Sequence, residues 1–263
     1  MHDRRGNRLR GHAIREEPTV YGETITRIYI DGSWSIAQQI GTIAGGSPEW
    51  GEGVAAVDGG RWSQRVNLRS SPPPELEETL DLLSGCLTLE HVEPLDLAIA
   101  LDFYKTVVPG VDPMSWPNTE VGELVNQAKY HLSEAARQEL ITRLGDLAVG
   151  HPMLRRAVAV AAVPDSGQPT SIGRILAAGV ADRLGVPVVP LIESGAHATA
   201  KGSGPGDRVD LTFDAGGRIT GEVALVVDDV LRRGQTMAAA GTALRKAGAL
   251  RVRGLVAART VSS

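Results

Sequence analysis

The chain has 263 residues, 42% hydrophobic and 22% charged, which is enough apolar material for one large domain or two small ones and too much for disorder. A net charge of −4 excludes a broad basic field for non-specific nucleic-acid binding, and the single Cys86 excludes a disulfide framework and any four-thiolate zinc site. No apolar run approaches the roughly 20 residues of a membrane span, and residues 1–10 are charged with no apolar segment behind them, so neither anchor nor signal peptide is expected and a cytoplasmic location is.

Residues 1–19 are polar and basic and read as a flexible arm. Residues 24–30 (TITRIYI) alternate and are β-branched, and Asp31-Gly32 follows as a turn signal, so a strand is expected. Glycine and proline punctuate 41–75, which predicts short strands and loops without a helical period. Residues 74–83 (PELEETLDLL) predict a short helix with acids in its first turn. All four tryptophans (Trp34, Trp50, Trp62 and Trp116) precede residue 117, and this half carries neither a repeat nor a catalytic motif. Residues 20–114 are therefore assigned to an α+β portion without a role.

The pattern then becomes α/β, with a domain expected over 115–263. Helices are predicted at 119–130 and 133–149, the second capped by Ser133 and stopped at Gly150 and Pro152. The continuous apolar run 157–163 (AVAVAAV) predicts a parallel strand covered on both faces. A helix at 171–184 follows, then a strand at 186–192 shortened by Pro187 and Pro190. The stretch 194–207 (SGAHATAKGSGPGD) is rich in glycine and reads as a loop. A strand at 223–227 (VALVV), a helix at 236–247 and a strand at 252–257 complete an open parallel sheet, whose ligands bind beyond the C-terminal strand ends.

Chemistry concentrates at residues 223–236 (VALVVDDVLRRGQT). An apolar strand delivers Asp228 and Asp229, a short loop with Gly234 follows, and Thr236 opens a helix. Helix-start N–H groups attract an anion, Gly234 lets the backbone close around a phosphate, and the Thr236 hydroxyl adds a donor. The carboxylates suit sugar hydroxyls, so the combination describes a sugar phosphate. A strand ending in Asp-Asp also serves P-loop NTPases, but the G-x-x-x-x-G-K-[ST] string they need is missing here. Adjacent acids at a strand end can also be no more than solvated residues. No His, Cys and carboxylate spacing suits a resident metal, and His131 and His151 read as helix-end caps.

VALVVDDVLRRGQT resembles the phosphoribosyl-pyrophosphate (PRPP) signature of type I phosphoribosyltransferases, and most of all that of the ComF-like, competence-associated branch. Residues 123–130 (ELVNQAKY), with Lys129-Tyr130, resemble the family's helix carrying a Lys-Tyr or Lys-Phe pair. Residues 157–167 resemble its first strand and pyrophosphate loop, and 254–259 (GLVAAR) its last strand. Together these cover about residues 97–260. The resemblance implies transfer of a phosphoribosyl group from Mg²⁺-PRPP to a nitrogen nucleophile, with Mg²⁺ arriving on the substrate and the acceptor unknown. It implies that Arg232, Arg233, Gly234, Gln235 and Thr236 hold the 5′-phosphate, and that Asp228 and Asp229 hold the ribose hydroxyls and stabilise charge at the anomeric carbon. By the same resemblance Asp165, Ser166, Gly167 and Arg208 bind pyrophosphate and Lys201 closes over it. A plain βα turn capped by Thr170 or Ser171, with Lys201 in an ordinary surface loop, is the competing reading of those segments. Lys129 is expected at solvent. Dimers are common among similar proteins, so a homodimer belongs to the expectation.

Three departures stand out. Arg232-Arg233 replace small hydroxyl residues, substituting charge-assisted donors for hydroxyls or else pointing to solvent. The four-cysteine zinc module common at the front of ComF-like proteins is lacking. The Arg-Gly-(Phe/Tyr)-Asn-Gln string is replaced by residues 168–174 (QPTSIGR). That last change favours an alternative, a non-catalytic PRPP-binding regulatory protein; a third reading, a scaffold whose N-terminal half binds a partner protein, rests on the tryptophans alone.

Overall fold

The computed structural model describes residues 8–19, 21–50, 62–68, 70–90, 92–164, 171–194 and 212–261. The chain divides into one unit of Met1–Glu90 with Gly150–Met153 and a second of His91–Val149 with Leu154–Ser263.

In the first unit, β1 (Gly11–Pro18), β2 (Thr24–Asp31), β3 (Gly46–Trp50) and β4 (Gln64–Leu68) form an antiparallel sheet in the order β1-β2-β4-β3. Gly11–Pro18 falls in the segment expected to be an arm. It instead pairs along its whole length with β2, from Gly11 opposite Asp31 to Pro18 opposite Thr24, so backbone hydrogen bonding overrides its polar composition. Helix α1 (Trp34–Ala44), an unanticipated helix whose last turn enters the region expected to hold short strands and loops, buries Ile36, Ala37 and Ile40 and ends on Gly45 in the left-handed conformation at φ 69°. Helix α2 (Leu76–Gly85) and the short strand β5 (Leu87–Leu89) follow. Alternation along β4 buries Gln64, Val66 and Leu68. His151 is fully buried, with Nε2 3.2 Å from Gln39 Oε1 and Nδ1 accepting the Met153 N–H at 3.1 Å; Gln39 donates in turn to Thr88 Oγ1 at 2.8 Å. His151 is thus a satisfied core histidine.

The second unit is α/β. Its strands β6 (Leu97–Phe103), β7 (Ala157–Ala162), β10 (Val223–Leu231) and β11 (Arg251–Arg259) run parallel in the order β6-β11-β10-β7. The parallel sheet therefore draws on residues before 115, because β6 pairs with β11 from Leu97 opposite Arg253 to Phe103 opposite Arg259. Helices α3 (Glu120–Tyr130) and α4 (Glu134–Gly150) precede β7, α5 (Ile172–Leu184) follows it, and α6 (Gln235–Lys246) joins β10 to β11. Thr119, Ser133 and Ser171 cap α3, α4 and α5: their hydroxyls accept the N–H groups of Gly122, Ala136 and Arg174 at 2.9, 3.3 and 3.3 Å.

The strand expected over 186–192 is fragmentary. Pro187 and Pro190 cannot donate to a ladder, so only the Val189 N–H and the Pro187 carbonyl reach Val160, at 2.8 and 3.0 Å. What remains is β8 (Leu191–Glu193), paired antiparallel with β9 (Phe213–Ala215). No described helix is long and apolar enough to cross a membrane.

Candidate functional site

Five apolar residues of β10, Val223–Val227, are each at most 1% exposed, because the strand is covered on both faces. The strand continues four residues beyond the expected end, so Asp228 and Asp229 are carried on the strand itself. The Asp229 N–H donates to Asp228 Oδ1 at 2.9 Å, and the Val230 N–H to Asp229 Oδ1 at 2.9 Å. Gly173, in the first turn of α5, lies alongside: a Cβ there would stand 3.7 Å from Asp228 Oδ1.

Asp229 is buried, and its charge is met by Lys129, whose Nζ donates to Asp229 Oδ2 at 2.6 Å. This corrects the expectation that Lys129 faces solvent. The last turn of α3 brings the ammonium over the end of β10, because α3 lies on β6 and β11. Burial works against the charged Lys129, but the hydrogen bond and charge of Asp229 outweigh it and raise its pKa. The Asp228 carboxyl is pushed well above the usual carboxylate range, first by burial and then by the adjacent charge of Asp229. One strand end thus holds a cation-paired carboxylate beside one that resists ionisation, an environment suited to polarised hydroxyls.

The loop after β10 is short. Arg232 and Arg233 are exposed, and Gly234 takes the left-handed conformation at φ 77° as the N-cap of α6, with no side-chain cap. The first N–H groups of α6 therefore face outward as donors. The loop is held from behind: the Arg259 guanidinium donates to the carbonyls of Leu231 and Arg232, and the Thr260 N–H reaches the Leu231 carbonyl at 3.0 Å. Gly234, Gln235 and Thr236 thus stand together at the helix start. Gly234→Ala is expected to cost about 1 kcal/mol of stability from its positive φ alone, since the added Cβ would only graze Val92 at 3.5 Å. A shift in thermal melting together with weaker phosphate binding checks this.

An open pocket of about 160 Å³ adjoins Asp229 where the C-terminal ends of β6, β10 and β11 meet α3. Tyr104, Lys129, Tyr130, Arg232 and Thr260 line it; none of the five except Arg232 was among the expected site residues. The Lys-Tyr pair was the one sequence signal pointing there. Asp165, Ser166, Gly167, Lys201 and Arg208 lie outside the described residues, as does Thr170. Among the described residues no group of three or more His, Cys, Asp or Glu side chains could hold a metal ion.

Residues 169–262 match the family model of the phosphoribosyl transferase domain, so the homology covers the acidic strand end, the loop and α6. No curated protein shows a significant match to the sequence. Among solved structures, similarity extends to a purine phosphoribosyltransferase from Pyrococcus horikoshii Ot3, with 16% identity, 49% of this chain and 88% of that chain covered, and a TM-score of 0.33. An orotate phosphoribosyltransferase from Aeropyrum pernix aligns with 22% identity over 58% of this chain and 71% of that chain, TM-score 0.36. An adenine phosphoribosyltransferase from Thermoanaerobacter pseudethanolicus aligns with 18% identity over 50% and 83%, TM-score 0.34.

Proposed function

We propose that the second unit binds Mg²⁺-PRPP and transfers its phosphoribosyl group to a nitrogen nucleophile. The observation that carries this reading is the pairing of an acidic strand end with a glycine-turned helix start, inside the segment that matches the phosphoribosyl transferase family. In this reading the N–H groups of Gln235 and Thr236, freed by Gly234, receive the 5′-phosphate, and Arg232 and Arg233 add charge-assisted donors. Asp228 and Asp229 accept from the ribose hydroxyls and stabilise positive charge at the anomeric carbon. The acceptor nitrogen forms the C–N bond as the C–O bond to pyrophosphate breaks; the acceptor's proton is lost and pyrophosphate leaves with the Mg²⁺ that came on the substrate. Lys129 holds Asp229 in place through its Nζ–Oδ2 hydrogen bond.

From sequence, Asp165, Ser166, Gly167 and Arg208 are assigned to pyrophosphate and Lys201 to closure over it. By the same reading residues 223–236 ally the chain with the ComF-like branch, and a cytoplasmic location and a homodimer belong to the proposal. Calorimetric titration of Mg²⁺-PRPP, with pyrophosphate release measured over a panel of bases and amines, tests the reading. Micromolar binding with release on one acceptor supports it, and Lys201→Ala should then abolish release while leaving binding intact. Binding without release on any acceptor would make the protein a PRPP sensor, the version favoured by the residues 168–174 that stand where the Arg-Gly-(Phe/Tyr)-Asn-Gln string is usual. No binding would end both readings.

A further inference from the structure

The last residue of β11, Arg259, carries a half-buried cation with no role in the scheme above. Burial pulls its pKa down, and no described carboxylate lies close enough to offset this. It stays charged near neutral pH, because a guanidinium gives up its proton only far above it. A half-buried cation without a counter-charge costs stability, and Arg259 sets that charge directly behind the turn from β10 to α6. Its Nη1 uses both N–H groups on the turn, donating to the Leu231 carbonyl at 3.3 Å and to the Arg232 carbonyl. The Thr260 N–H and hydroxyl also reach the Leu231 carbonyl, at 3.0 and 3.3 Å. In a planar trans peptide the N–H points opposite to the C=O. Carbonyls drawn toward Arg259 therefore turn the N–H groups of Arg232 and Arg233 away from it. Among the described residues neither of these, nor the Gly234 N–H, donates to a backbone carbonyl. Gly234 carries the row on to the start of α6, which has no side-chain cap. Successive free N–H groups of this kind form a concavity for an anion.

We propose that Arg259 is the positioning residue of the 5′-phosphate loop: without touching the ligand, it fixes two peptide planes so that their N–H groups face the phosphate, and it places a positive charge behind them. This deepens the phosphoribosyl reading above and rests on it. The turn does not fix those planes by itself. Arg232 and Arg233 are exposed and make no side-chain hydrogen bond to a described residue, and Gly234 has no side chain to anchor. The charge of Arg259 also acts with opposite sign in the two states. It weakens the empty protein, where it is desolvated and unpaired, and it favours the loaded one, where a phosphate dianion lies in front of the loop.

The test uses the full chain and two variants: Arg259→Met, which keeps the stem and removes the charge, and Arg259→Lys, which keeps the charge. Ribose 5-phosphate is titrated by calorimetry, and thermal melting is recorded without ligand. Arg259→Met should bind ribose 5-phosphate about tenfold more weakly, while its melting temperature without ligand stays level or rises. Arg259→Lys should return to within about threefold of wild type, because one ammonium can donate to both carbonyls. An Arg259→Met that binds like wild type overturns the proposal, and so does an Arg259→Lys as weak as Arg259→Met. An Arg259→Met that melts well below wild type or fails to fold also overturns it, since Arg259 would then be a strut of the fold. Wild type that binds neither ribose 5-phosphate nor Mg²⁺-PRPP removes the phosphoribosyl reading and this inference with it. Wild-type binding that is indifferent to Arg259 removes the inference alone.

Discussion

Asp228→Asn combined with Asp229→Asn is expected to weaken Mg²⁺-PRPP binding by about 2 to 5 kcal/mol, a loss on the order of 30- to several-thousandfold. Asp229 is a cation-paired acceptor and Asp228 a buried acceptor beside it, and replacing both leaves the ribose hydroxyls without partners of equal strength. The variants separate by stability. The folded Asp228 carboxyl sits above its unfolded pKa, so the native state binds more protons than the unfolded chain in between, and stability falls as pH rises through that window. Asparagine cannot ionise and escapes that loss. Asp228→Asn alone should therefore melt higher than wild type at pH 7 and no higher near about pH 3, below the ordinary carboxylate pKa. Asp229→Asn should melt lower, because it leaves the half-buried Lys129 ammonium without its partner. Thermal melting at the two pH values, beside calorimetry at pH 7, reads both effects; an Asp228→Asn that melts lower at pH 7 would contradict the strained-carboxylate account.

Gly122→Ala is expected to destabilise the protein by about 3 kcal/mol, at the upper end of overpacking costs. Alanine normally favours a helix over glycine by about 1 kcal/mol, so the sign is decided by the neighbour. A Cβ on Gly122 would stand 1.9 Å from the Tyr104 carbonyl oxygen, a backbone atom that cannot rotate away. The first turn of α3 is bound to the same place: the Thr119 N–H donates to the Tyr104 carbonyl at 3.1 Å, and the Thr119 hydroxyl to the Phe103 carbonyl at 2.5 Å. Lifting α3 would also draw Lys129 off Asp229, so ligand binding should fall with stability. Gly85→Ala in α2 is the control, since nothing lies within 4 Å of a Cβ there. Its melting temperature should stay level or rise, while Gly122→Ala falls by roughly 6–12 °C at 2–4 °C per kcal/mol.

The C-terminal strands and helices were legible because their signals are local. The run at 157–163, the caps Ser133 and Ser171, and the apolar strand ending in two acids each announce themselves within a few residues. Two missed elements were also readable: residues 97–101 (LAIAL) form an apolar run like that of β7, and Ile36, Ala37 and Ile40 have helical spacing before Gly45. β1 was not readable, since residues 11–18 (GHAIREEP) are mostly polar and become a strand only because β2 lies alongside. The Lys129–Asp229 pair was beyond reach for a similar reason. The two residues are 100 positions apart, and nothing local to either specifies the other. The acidic strand end and its loop could be anticipated; the pocket could not, because three strand ends and a helix terminus build it.

The strand order bears on how this chain emerges from the ribosome. β11 lies between β6 and β10, so it completes the sheet from the middle, and Asp96 waits 156 residues for its hydrogen bond from the Val252 N–H. Until residues 251–259 are synthesised, β6 has no β11 to pair with, and its nearly uninterrupted apolar run remains exposed to chaperones or to other chains. Such non-local closure predicts slow refolding and makes the last strand the gatekeeper of the fold.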